Sequence, residues 1–197
     1  MSKGLLKDIR FKSEVKSFFS KNKEKVLDII LFGSSVKGKE KPNDIDILIL
    51  FKDKKDIDIS YELKKTIKGF EVSITDKTYK ELFEESFKAR EAILAEGYSL
   101  VYNKFLAEGL GYMNFVLFRY ELKGFSKSER MRFYYSLYGR GKDQKGVLEE
   151  FNCIKFSDAI LLCPSTNTEK LKEYLENWKI RFIEFPILIP SRLKSIL

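Results

Sequence analysis

At 197 residues with 44% hydrophobic content, 17 Phe and 10 Tyr, the chain can bury one mid-sized core or two small ones, so disorder is not the default. It contains no histidine, which excludes His-based zinc ligation, His-dependent nucleophilic triads and imidazole general-base catalysis. The formal charge of +8 points weakly towards polyanions, and residues 104–197 hold the larger share, with 16 Lys+Arg against 11 Asp+Glu.

In chain order, apolar positions at helical spacing (Ile9, Val15, Phe18, Phe19) among lysines predict a surface helix over residues 9–24. Residues 26–32 read as a buried strand and 44–51 as a second, with Pro42 and Asn43 ending the loop between them. A helix over 58–68 stopped by Gly69, a strand over 70–75 and a long helix over 77–96 closed by Gly97 follow. Residues 98–102 read as a short edge strand. This order suits a small mixed sheet with helices against one side, an α+β arrangement.

The paired glycines of Ala107-Glu108-Gly109-Leu110-Gly111 predict a connection, so domains are expected over 1–106 and 112–197. Beyond it come a strand over 114–122, then a helix opened by the capping-box pattern Ser126-Lys127-Ser128-Glu129 and running to Tyr138 before Gly139. A buried strand over 159–163, a helix over 168–178 and a last strand over 182–189 complete a second small α+β domain. Two cysteines ten residues apart, Cys153 and Cys163, fit reduced thiols. No apolar run reaches the roughly 18 residues a membrane span needs, and the start lacks a long apolar region, so a cytoplasmic protein without membrane contact is expected.

The chemistry concentrates between Gly33 and Leu50: a Gly-Ser turn, a basic loop, then Asp44 and Asp46 leading an apolar run. Side chains two apart on a strand share a face, so the two carboxylates can grip one site while Ile45 and Ile47 pack behind them. Asp-x-Asp by itself is usually solvated charge. Carboxylates at the head of so apolar a strand are costly near a core without a cation, and oxygen ligands suit Mg²⁺ beside substrate phosphates. Asp76, a further acid close by in the sequence, is explained as the N-cap of the helix over 77–96. Lys37, Lys39 and Lys41 can neutralise phosphates or merely solubilise the loop.

Gly33-Ser34 followed after nine residues by Asp44-Ile45-Asp46, with Phe32 and Ile47 flanking, resembles the signature of the DNA polymerase beta nucleotidyltransferase superfamily, in particular its minimal stand-alone branch, over residues 24–103. The resemblance implies a magnesium- or manganese-dependent enzyme that uses ATP or another nucleoside triphosphate. It also implies that Gly33 and Ser34 hold phosphates, that Ser35 and Lys37 support them, and that Asp44 and Asp46 bind the catalytic metals. A third metal-binding carboxylate is expected from a neighbouring strand, where Phe70-Glu71-Val72 offers Glu71; the family more often has aspartate there, and the wet face of the sheet explains Glu71 equally.

Residues 119–145 interleave cations with Tyr120, Phe125, Phe133, Tyr134, Tyr135 and Tyr138, the combination expected for single-stranded or loop RNA. Arg130, Arg140 and Lys142 are the expected nucleic-acid contacts, although several of the aromatics must be core. The expected function is transfer of a nucleoside monophosphate to an acceptor hydroxyl, RNA among the acceptors. The rivals are an antitoxin-like partner protein that binds nucleotide or nucleic acid without turnover, and a purely structural RNA-binding module.

Overall fold

Val26–Phe32 (β1) and Asp44–Phe51 (β2) are the most apolar strands of the first half, and they pair antiparallel from Val26↔Phe51 to Phe32↔Asp46. They are central to a computed structural model that describes residues 5–37, 44–141 and 144–196. The chain divides into two compact units, Met1–Tyr112 and Met113–Leu197.

In the first unit, Ile9–Asn22 (α1) is opened by the Asp8 carboxylate, which accepts from the Phe11 amide at 3.0 Å. Ile57–Thr66 (α2) is opened likewise by Asp56, and it provides the crossover that lets Glu71–Thr78 (β3) run parallel to β2. Arg90–Glu96 (α3), the short strands Tyr98–Ser99 (β4) and Lys104–Phe105 (β5), and the turn of helix Leu106–Gly109 (α4) complete it. The sheet order is β3-β2-β1-β4-β5.

Alternation along β1 and β2 sends Ile29, Leu31, Ile45, Ile47 and Ile49 to one face, where Phe11, Val15 and Phe18 of α1 and Ile59 and Leu63 of α2 cover them. Ile30 and Leu48 point to the other face and meet Phe87 and Ile93. Both faces are therefore covered, not one, which is why β2 is apolar at nearly every position after Asp46.

Four further expectations change. The helix over 77–96 is instead a continuation of β3 to Thr78, a 3-10 turn at Lys80–Phe83 and the short α3. Pairing with β2 as far as Phe51↔Thr78 keeps this stretch extended, and a break after Phe83 lets Phe87 reach the sheet. Asp76 is consequently no N-cap: it lies inside β3 and accepts from the Ser60 hydroxyl at 2.7 Å. β4 is not an edge strand, because β5 pairs outside it. The glycine-rich segment is partly helical, and Leu106 donates its amide to the Gly97 carbonyl, tying it to the first unit.

The second unit contains all but the first residue of Tyr112–Glu121 (β6), then Lys127–Tyr138 (α5), the hairpin strands Gly139–Arg140 (β7) and Gln144–Lys145 (β8), Val147–Glu150 (α6), Ile154–Ser157 (β9), Ile160–Pro164 (β10), Thr168–Asn177 (α7) and Arg181–Pro190 (β11). The Ser126–Glu129 capping box forms in full. Gly139, at φ +87, ends α5 in a backbone region that a β-carbon disfavours. Its four-stranded sheet has the order β11-β6-β10-β9. Phe133 and Leu137 of α5 and Leu171 and Leu175 of α7 pack on Val116, Phe118, Leu161 and Cys163.

Candidate active site

The site begins where β1 ends. Phe32 pairs with Asp46, so the next residue, Gly33, turns directly over that carboxylate. Gly33 adopts φ +74, and a β-carbon there would lie 2.6 Å from Asp46 Oδ2. Glycine is needed twice over, for the conformation and for the space. Gly33–Ser35 then forms a 3-10 turn closed by the Val36 and Lys37 amides, which donate to the Gly33 and Ser34 carbonyls at 3.2 Å each.

The two serines of the turn differ. Ser35 is buried and its hydroxyl donates to the Asp44 carbonyl at 3.3 Å, fastening the turn to β2. Ser34 is half-buried and has no side-chain hydrogen bond among the described residues. Lys37 reaches Glu96 Oε1 at 3.1 Å, and Glu96 is only 5% exposed. Lys39 and Lys41 lie outside the described residues.

Asp44 is exposed and Asp46 half-buried, on one face of β2 as the alternation requires. Burial first, and then the Asp44 charge, raise the Asp46 carboxyl above its ordinary value. On the parallel neighbour the register is Asp44↔Glu71, Asp46↔Ser73 and Ile49↔Asp76. Paired residues share a face, so Glu71 is beside Asp44 while Asp76 belongs to the opposite face. Glu71 is exposed, and among the described residues no three His, Cys, Asp or Glu side chains form a group that could hold a metal ion. Two carboxylates thus share one face with a tight glycine turn held against the second of them, an arrangement able to accept a cation.

Residues 13–103 match the family model for Polymerase beta, Nucleotidyltransferase. The match starts within α1 and ends just after β4, enclosing the Gly33-Ser34 turn, both aspartates and Glu71. The N-terminal half is therefore nucleotidyltransferase-like, as its turn-and-aspartate pattern implied. No curated protein and no solved structure matches the chain. Among the described residues no helix is long and apolar enough to cross a membrane.

The expected nucleic-acid residues lie in the second unit. Arg130 is in the first turns of α5, with Nε donating to the Phe125 carbonyl at 3.2 Å. Arg140 follows the other end of α5, its guanidinium 4.6 Å from the Tyr135 ring centroid. Lys142 lies outside the described residues. Sequence reasoning missed Glu96. Glu96 carried one readable signal: an acid in the last turn of a helix opposes the helix dipole and calls for a nearby cation.

Proposed function

We propose that the protein transfers a nucleoside monophosphate from a nucleoside triphosphate, ATP among them, to an acceptor hydroxyl, with Mg²⁺ or Mn²⁺ as the cation. The observation that carries this reading is the Gly33 backbone held against Asp46, with Asp44 on the same face, inside the region that the family model covers. The donor set fits such an ion. Mg²⁺ is ordinarily held by one or two carboxylates together with substrate phosphates, and a cation relieves the burial and like charge that raise Asp46.

When bound by Asp44 and Asp46, the ion supplies charge neutralisation at the phosphates and acidifies a hydroxyl. The chain's own residues bind and orient. Gly33 admits phosphate oxygens close to the backbone, Ser34 offers a hydroxyl without another partner among the described residues, and Ser35 fixes the turn on β2. Lys37 offsets triphosphate charge as a point cation held by Glu96. Glu71 is assigned the acceptor side of the pair, beside Asp44. Residues 1–106 carry the transfer, 112–197 take the acceptor, and the reading puts the protein in the cytoplasm.

A second reading, nucleotide binding without turnover by an antitoxin-like partner protein, is favoured by one observation: among the described residues no third acid gathers with the aspartates. Incubation with labelled nucleotides, Mg²⁺ and mixed RNA tests both. Labelled product is expected from the wild type and none from Asp46→Ala, with an unchanged circular-dichroism spectrum. Equal product from Asp46→Ala would refute the site, and nucleotide binding without product from the wild type supports the second reading.

A further inference from the structure

The second unit contains a hollow of about 430 Å³ whose lining includes Lys123, Arg130, Tyr134, Tyr120, Glu121 and Asp158. Its own lining balances two cations against two carboxylates, and Arg119 and Lys155 beside it make the surroundings positive. Both carboxylates have partners, Glu121 in Arg119 at 4.0 Å and Asp158 in Lys155 at 2.9 Å. Lys123 and Arg130 have no carboxylate partner among the described residues, and Arg130 uses only Nε, towards a carbonyl, leaving its terminal N–H groups to a ligand.

An aromatic wall adjoins this excess of positive charge. Arg130, Tyr134 and Tyr138 follow at i, i+4 and i+8, so α5 lines them up as a ridge with about 6 Å between neighbours along the axis. The Tyr134 and Tyr138 rings stack with centroids 5.9 Å apart and planes 27° from parallel. Lys155 Nζ stands 5.5 Å from the Tyr138 centroid. The core takes Phe133 and Leu137 from this helix, while Tyr138 is exposed.

We propose that the ridge and hollow bind single-stranded nucleic acid, with phosphates on Lys123 and Arg130 and bases stacked against Tyr134 and Tyr138. An acidic peptide would use the cations but not the rings, and a duplex hides its base faces. An unpaired strand offers both phosphates and π-faces. This names the acceptor class of the transfer proposed above and rests on that reading for the acceptor role, but not for binding itself.

Fluorescence anisotropy of a short, unpaired, labelled oligoribonucleotide titrated with the full chain at several salt concentrations tests the proposal. Lys123→Gln and Arg130→Gln should each weaken binding and lower the salt slope by about one. Tyr138→Leu should weaken it about tenfold with the slope unchanged. A duplex of the same length should bind more weakly. Wild-type affinity in the two exposed charge variants, or equal affinity for duplex and single strand, would overturn the proposal. So would displacement of the strand by a free mononucleotide at equal affinity, which marks a mononucleotide site instead. The Asp44→Asn/Asp46→Asn variant should retain strand binding in full, so loss of transfer and loss of binding are read separately.

Discussion

Replacing Asp28 by Asn should make the first unit more stable at neutral pH and leave it unimproved in acid. Asp28 lies on β1 opposite Leu50, is 6% exposed, and accepts from the Ser99 hydroxyl at 2.8 Å and the Ile29 amide at 2.7 Å. Burial outweighs both hydrogen bonds and lifts its carboxyl from 3.8 to about 6. The folded state thus holds this proton more tightly than the unfolded chain. The associated stability is fully present below the unfolded value and is lost as pH rises through about 6. A shift of that size corresponds to about 3 kcal/mol. Asparagine keeps an oxygen for Ser99 and removes the charge, and any penalty from its amide N–H groups is the same at every pH. The gap between variant and wild type should therefore move in the variant's favour by about 2–3 kcal/mol on going from acid to neutral pH. Native-state hydrogen exchange at the amides of β1 reads this unit directly, whereas fluorescence of Trp178, the chain's one tryptophan, reads the other. A gap that does not change with pH would refute the reasoning, because it would mean that the Asp28 carboxylate is as well solvated folded as unfolded.

Gly33→Ala should lower nucleotide transfer sharply while costing about 1–2 kcal/mol of stability, since φ +74 disfavours a β-carbon and that carbon displaces the Asp46 carboxylate; transfer assays beside urea unfolding check it. Lys37→Met should destabilise by about 1–3 kcal/mol by leaving the Glu96 carboxylate buried without its cation, and Lys37→Met/Glu96→Leu should recover most of the loss in a double-mutant cycle. A thiol reagent should modify Cys153 in the native protein and Cys163 only after unfolding, because Cys163 is fully buried and the neighbouring Cys153 thiol and burial both push its thiol up. Thiol titration with and without urea measures the difference.

The parts of the fold legible in the sequence are those that local chemistry decides. β1 and β2 fall on the expected residues because each is a mostly apolar run, broken only by aspartates, between polar or glycine positions. α5 starts at its capping box and stops at Gly139 because both signals act within one turn of helix. The expected helix over 77–96 failed because a good local helical pattern lost to the ladder that β3 continues along β2, a partner remote in sequence. The Lys37–Glu96 pair was invisible for a similar reason, its members being remote from one another in the sequence.

Within the candidate site, sequence by itself determined that Asp44 and Asp46 share a face, since a period of two is intrinsic to an extended backbone, and that a glycine turn precedes them. Tertiary structure decided which acid of β3 shares their face. Glu71 and Asp76 lie five apart on β3 and so face opposite ways, but only the parallel register Asp44↔Glu71 says which of the two looks towards the aspartates. It likewise brought Gly33 against Asp46 and buried the partner of Lys37. Alternation is a property of one strand, whereas register and close approach depend on what the neighbouring chain segments bury together.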